Sequence, residues 1–316
     1  ISVAQVLFGY MPIDQIIVVG GNITMNEQNK HEKIDEKIEG YTLERQPGIE
    51  GEMDPKPIFE DDEYKGSGKL KDKVAIITGG DSGIGRAVAV AYAKEGANMV
   101  IAYLDEHDDA DKTKKIVESY GVKCETYAFD VKKKAECEKL VKFTIDNFGK
   151  LNVLVNHAGV QYQTEGFLAI GEDQIRETFE TNIYGIIFMS QAALPYLDKG
   201  DAIVNTTSVT AYRGSPGLIE YSATNGAITS FTRSLAGNLA SKGIRVNGVA
   251  PGAIYTPRIA ATFDAEKVEQ HGGDTPMGRR GQPSELAPSY VMLASNDSSY
   301  MTGQIIHVNG GDFMTT

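Results

Sequence analysis

Beyond Lys73 the chain alternates short apolar runs with longer stretches in which apolar residues recur every three or four positions. The runs Val74–Thr78, Met99–Tyr103, Cys124–Phe129, Leu151–Val155, Ala202–Asn205, Arg245–Val249 and Gln304–Val308 have strand length and are bounded by turn residues. Helical segments fall between most of them, the first over Ile84–Lys94. Continuous apolar strands separated by helices predict an α/β fold, a doubly wound parallel sheet of about seven strands with helices on both faces. Ligands of such sheets sit at the carboxyl ends of the strands, so the chemistry is expected at strand exits. The segment before this region reads differently. From Asn26 to about Lys73 it is polar and punctuated by Pro47, Gly48, Pro55 and Pro57, with an acidic cluster at Glu60–Glu63. It predicts an extended arm over a domain surface or towards a neighbouring subunit. Residues 1–69 are thus expected to be extension and arm without a core of their own, and 70–316 a single domain. The apolar patches Val6–Phe8 and Ile16–Val19 are separated by Pro12 and Asp14 and suit neither a signal peptide nor a membrane span. Met25 reads as a start, with what precedes it an added extension or a docked arm.

Composition narrows the function classes. With 316 residues, 41% of them hydrophobic, the chain can bury one large core. Its formal net charge of -12, without a basic stripe, excludes a phosphate backbone or an anionic membrane as the expected partner. Cys124 and Cys137 are too few for a disulfide framework and form no metal-ligand cluster, which predicts a reducing, cytoplasmic setting. The five histidines are scattered without ligand spacing, so no metal site is expected.

The first strand runs into Thr78-Gly79-Gly80-Asp81-Ser82-Gly83-Ile84-Gly85-Arg86, where a helix begins. Glycines at a strand-to-helix turn let the backbone approach a pyrophosphate, whose charge the helix N-terminus favours. The binding residues expected here are Gly79, Asp81, Ser82, Gly83, Ile84 and Gly85. The pattern Thr-Gly-x-x-x-Gly-Ile-Gly resembles the short-chain dehydrogenase/reductase family, and the likeness continues from about Leu70 to Gly311. Asn156-His157-Ala158-Gly159 resembles the family's Asn-Asn-Ala-Gly, with a departure at His157. Asn182 matches a helix Asn that orders a relay water, Ser208 the catalytic Ser, and Tyr221 the catalytic Tyr thirteen positions later. Pro251-Gly252, followed by Ile254 and Thr256, matches the loop that touches the nicotinamide. The arm QPGIEGEMDPKPIFEDDEYKGSGKL and the stretch TGGDSGIGRAVAVAYAKEGANMVIAYLDE resemble a bacterial branch of stress-associated and glucose-dehydrogenase-like oxidoreductases.

The resemblance implies a Rossmann-type, cytoplasmic oxidoreductase that moves hydride between NAD(H) and an alcohol or carbonyl substrate. Asn182, Ser208, Tyr221 and Asn225 would form its catalytic set. Moving hydride to or from a carbinol carbon requires a proton to join or leave the oxygen, so a general acid/base must lie within reach. A phenol with a reference pKa near 10 is a poor base at neutral pH unless a cation stabilises its phenolate. The family places a Lys four residues after its Tyr. Here that position is Asn225, which carries no charge, although it can still hydrogen-bond a ribose hydroxyl. Arg213 and Lys242 are the cations weighed as replacements. A protein that binds the dinucleotide with little turnover is therefore the alternative. Ala158, Gly159, Tyr221 and Asn225 would join Asn156, Pro251, Gly252, Ile254 and Thr256 around the cofactor. Tyr103 occupies the family's ribose-binding Asp position, and Asp130, with Val131 beside it, the adenine contact. Ser82 and Leu104 stand where the family often places a cation, and Asp105 and Glu106 add negative charge nearby. That favours NAD(H) over NADP(H). His157 is expected to line the cofactor cleft rather than act as a base. The loop after Pro251 and the segment Ala260–Met277 should wall the substrate. A homotetramer is expected, its interface including the helix with Ile183, Ile187, Phe188 and Leu194.

Overall fold

A computed structural model of the protein describes residues 30–314; the patches at 6–8 and 16–19 and Met25 lie outside the described residues. Seven parallel strands form one sheet in the order β3-β2-β1-β4-β5-β6-β7. They are β1 (Val74–Thr78), β2 (Asn98–Tyr103), β3 (Cys124–Ala128), β4 (Val153–Asn156), β5 (Ala202–Thr206), β6 (Arg245–Pro251) and β7 (Ile305–Val308). Seven helices of eight residues or more accompany them: α1 (Gly83–Lys94), α2 (His107–Glu118), α3 (Lys134–Phe148), α4 (Glu172–Phe179), α5 (Gly185–Ala193), α6 (Ile219–Leu239) and α7 (Pro283–Ala294). The expected strands are all present, with ends displaced by one or two residues. The largest shift is at β4, which starts at Val153 rather than Leu151 and runs on to Asn156, whose register partner on β5 is Asn205.

Alternation along the strands divides the core into two layers. Ala75 and Ile77 pack with Tyr92 of α1 and Leu286 and Tyr290 of α7 on one face. Ile76 and Leu154 pack with Leu140 of α3 and Met189 of α5 on the other. The strand order reverses between β1 and β4, which opens a crevice at the carboxyl ends of the strands.

The arm enters that arrangement instead of lying loosely on it. Its Ile38, Leu43 and Met53 are buried with Tyr255 and Ala260, from the region after β6. The Leu43 N–H donates to Ala260 O (2.8 Å), the Ser284 N–H to Ile58 O (2.9 Å), and the Ile58 N–H to Gln282 Oε1 (2.9 Å). Between α4 and α5 the chain makes one π-helical turn, Glu180–Tyr184. Such an insertion rotates the following helix relative to a straight α-helix and is frequent at functional sites.

Candidate active site

The exits of β1 and β4 are joined by one hydroxyl. Thr78 Oγ1 accepts the backbone N–H groups of His157 (2.9 Å) and Ala158 (3.1 Å). Gly79 and Gly83 have φ of +67° and +50°, a region open to glycine at little cost. A Cβ on Gly83 would lie 3.3 Å from Thr256 Cγ2 across the crevice. On Gly85 it would lie 1.9 Å from Gly79 O, so this glycine lets α1 pack beneath the turn. A side chain at Gly85 would strike the loop's own backbone rather than enter pyrophosphate space.

Two cavities occupy the crevice. The first, of about 150 Å³, lies between the glycine turn, the end of β2, the Asp130 segment and Ala158–Val160. The second, of about 750 Å³, holds Ser208 and Tyr221 together with Pro251 and Gly252. Ile84, His157, Thr256 and Arg258 line both, so the two adjoin. A narrow cleft over a glycine turn, beside a wider chamber of mixed polar and apolar lining, fits an extended dinucleotide whose reactive ring meets a small substrate.

The expected residues divide accordingly. Gly79, Asp81, Ser82, Gly83, Ile84, Tyr103, Asp130, Val131, Ala158, Gly159 and Thr256 line the first cavity. Ser208, Tyr221, Pro251, Gly252 and Ile254 line the second, with Ile84 and Thr256 again. The expected substrate wall contributes Phe263, Lys267 and Gln270 through Thr275. Asn156 lies beneath the site, its amide donating to Asn205 Oδ1 (2.9 Å) and Ser190 Oγ (3.3 Å). Asn182, in the π turn, accepts the Val160 N–H (2.9 Å) and donates to Val160 O (2.9 Å) and Thr224 Oγ1 (3.2 Å). Ser208 Oγ accepts from the Thr210 N–H (3.2 Å) and lies 3.1 Å from the Thr210 hydroxyl. Tyr221 stands in the first turn of α6. Asn225, one turn on, donates its amide to Tyr221 O (2.8 Å) and lies outside the lining of both cavities.

Neither cation weighed at position 225's expense takes its place. Arg213 donates to Asp312 Oδ2 (2.8 Å). Lys242 lies beyond the far end of α6, roughly 30 Å from Tyr221 by helical rise.

Electrostatics sort the remaining groups. Burial, with the Arg258 charge nearby, lowers the His157 pKa to about 3; the ring is neutral, and its Nδ1 lies 3.0 Å from Thr206 Oγ1. Burial raises the Glu106 carboxyl to about 7, with the Asp81 charge adding to the shift. Burial also raises Asp81. No group of three or more His, Cys, Asp or Glu among the described residues could hold a metal, and both cysteines are buried free thiols.

Sequence reasoning missed the arm's part in the site. Gln46, Pro47 and Gly48 line the first cavity, and Arg45 pairs with Asp105 and Glu106 at the end of β2. Glu50 is fully buried; it accepts the Gly83 N–H (2.7 Å) and pairs with the equally buried Arg86. Arg86 in turn donates to Asp81 O (2.7 Å) and Thr113 Oγ1 (2.7 Å). No periodicity marks these residues, because they meet across more than 30 positions of chain. Arg258 was missed for the same reason.

A family model described as enoyl-(acyl carrier protein) reductase matches residues 79–312. General stress protein 39 of Bacillus subtilis is 55% identical over 89% of this chain and 98% of its own length. NADPH-dependent aldehyde reductase 1, chloroplastic, of Arabidopsis thaliana is 46% identical over 84% of this chain and 95% of its own. Among solved structures, a short-chain dehydrogenase/reductase, glucose/ribitol dehydrogenase, from Brucella melitensis superposes with a TM-score of 0.71 at 33% identity, over 80% of this chain and all of that one.

Proposed function

This chain belongs to the short-chain dehydrogenase/reductase family and is an NAD(P)-dependent oxidoreductase, and from that premise we propose that it interconverts an alcohol and a carbonyl compound with Tyr221 as the acid/base. The observation that carries this reading is the adjacency of two cavities: Tyr221 and Ser208 line a chamber that shares a wall with the cleft over the glycine turn. A nicotinamide held there would supply or take up the hydride. Gly79, Asp81, Ser82, Gly83 and Ile84 would hold the pyrophosphate, and Tyr103, Asp130 and Val131 the adenosine end. Ala158 and Gly159 with Pro251, Gly252, Ile254 and Thr256 would hold the nicotinamide end. Ser208 would hydrogen-bond the substrate oxygen, and Tyr221 would exchange a proton with it. Asn182 would keep a relay water in line through the contacts its carboxamide makes with Val160.

For the cofactor, NAD(H) is the proposed preference. Asp105 and Glu106 face a single guanidinium, that of Arg45, and a 2′-phosphate would add negative charge to an end that already carries it. The cytoplasm is the proposed setting, consistent with two buried free thiols. A homotetramer is proposed from the half-exposed Ile183, Ile187 and Phe188 beside exposed Tyr184, and from β7, an edge strand whose four residues are all half-exposed.

The test is a panel of alcohols, polyols and aldehydes followed by nicotinamide absorbance with NADH and NADPH in parallel, beside calorimetric cofactor binding. Tyr221→Phe should lower kcat by about 10²- to 10⁴-fold and leave cofactor affinity nearly unchanged. Turnover surviving in Tyr221→Phe would reject the acid/base assignment. Cofactor binding with no turnover by the parent on any substrate would favour a binding role.

A further inference from the structure

Asn225 leaves the Tyr221 phenol without a cation on its own helix. One guanidinium is placed to act from across the crevice. Arg258 lies on the short helix Pro257–Thr262 that follows β6, is half-buried, and lines both cavities. Its guanidinium makes no hydrogen bond or ion pair among the described residues. A Cβ placed on Gly159 would lie 3.6 Å from Arg258 Nη2 and 3.1 Å from Asn182 Oδ1. The guanidinium therefore reaches the edge of the relay that Asn182 anchors. Its charge acts on His157 and on Tyr290, and it lines the same chamber as Tyr221.

The other charged and titratable groups around Tyr221 are otherwise engaged or neutral. Arg213 is paired with Asp312. Lys267 is exposed and stacked 5.0 Å above the Phe263 ring, and Asp274 is exposed. His271 is held neutral by burial, its pKa lowered to about 4, as is His157. Glu220, beside Tyr221 in the chain, accepts the Gln174 amide (2.6 Å). Tyr290 lies 2.7 Å from Thr206 Oγ1, and burial raises its pKa.

We propose that Arg258 supplies the positive charge that position 225 lacks and acts through Tyr221 in the proton transfer. The inference rests on the reading of Tyr221 as acid/base. When Tyr221 gives its proton to the substrate oxygen, the O–H bond breaks and the electron pair remains on the phenolate. The Arg258 guanidinium, partly desolvated and without an anionic side-chain partner among the described residues, balances that charge until a proton returns from solvent through the relay. In the oxidative direction the same charge favours the phenolate that accepts the proton. Arg258 is thus a positioning residue whose effect appears in the titration of another group.

The experiment compares the parent with Arg258→Leu, Arg258→Lys and the double variant Arg258→Leu/Asn225→Lys. Each is read by a kcat-pH profile and, without cofactor, by absorbance titration of tyrosinate. Subtracting the same titration in a matching Tyr221→Phe background isolates the Tyr221 step. Circular dichroism confirms the fold of each protein. In Arg258→Leu the Tyr221 step and the limb of the rate profile that follows it should move to higher pH by about 1 to 3 units, with kcat of alcohol oxidation at neutral pH falling about tenfold per unit. Arg258→Lys should keep most of the parent's behaviour. Adding Asn225→Lys to Arg258→Leu should restore both readouts, because the cation returns from the other side. An unmoved titration step and rate profile in Arg258→Leu would overturn the proposal, as would a loss confined to the KM of the cofactor, which would make Arg258 a phosphate ligand. Turnover persisting in Tyr221→Phe would instead remove the assignment beneath it, and the two failures are told apart by that variant alone.

Discussion

His157 shows how much a single position can couple stability to pH. Its ring is neutral because burial and the Arg258 charge disfavour the cation, which places the folded pKa at about 3 against about 6.5 in the unfolded chain. The folded protein then binds fewer protons than the unfolded chain throughout that interval. The stability contributed by the neutral ring is fully present above pH 6.5 and drains away as pH falls towards 3, with a ceiling near 1.4 kcal/mol per pH unit. His157→Asn removes the titrating group while leaving a polar side chain beside Thr206. Its melting temperature should therefore fall less steeply than the parent's between pH 6.5 and 4 in a calorimetric series. Parallel curves would show that the imidazole already titrates normally. Sequence comparison marked this residue as a departure from a family Asn, but its pKa shift comes first from burial, and the charge of Arg258, more than a hundred positions away, adds to it.

Among the elements, the arm is the one whose role changes most once the fold is seen. Its composition reads as a surface extension, yet Glu50 braces the glycine turn from behind through the Gly83 N–H and Arg86. The carboxylate stands near the positive end of α1 and beside a fully buried guanidinium, where an unpaired charge is costly. Glu50→Ala should destabilise the protein by about 3 to 5 kcal/mol and weaken cofactor binding through a loosened turn. Glu50→Gln keeps an acceptor for the Gly83 N–H without the charge for Arg86, and should fall between the two. Thermal unfolding and cofactor calorimetry on the three proteins check this order; equal affinities and melting temperatures would detach the arm from the turn. The π turn at Glu180–Tyr184 is a second such case. The helical period of that stretch was legible, but the extra residue that orients Asn182 towards Val160 leaves no trace in a pattern of apolar positions.

At the scale of the whole molecule, the two-layer core explains why the helical face bearing Met189 and Ala193 packs inward while Ile183 and Ile187 stay partly exposed and Tyr184 exposed. β7 is likewise open at the sheet edge. Apolar surface of this kind is commonly covered by another subunit. Static light scattering at micromolar concentration should return a mass near four times that of the 34.2 kDa chain. A monomeric mass would reject the homotetramer. No helix among the described residues is long and apolar enough to cross a membrane, in keeping with an apolar surface organised as patches.

The sequence by itself determined the seven strands, their parallel winding and the glycine turn, because each follows from local periodicity or from residues within one turn of each other. It also showed Ser208 and Tyr221 at the family's spacing with Asn225 one helical turn beyond, since a motif's spacing survives without knowledge of the fold. Only the tertiary structure decided which distant side chains reach the crevice. Arg45, Glu50 and Arg258 act on the crevice through side chains that cross from other elements, and Asn225 turns its amide to its own helix. Long side chains reach partners by direction and burial rather than by distance along the chain, so their electrostatic roles become definite only when the backbone brings those partners into one low-dielectric space.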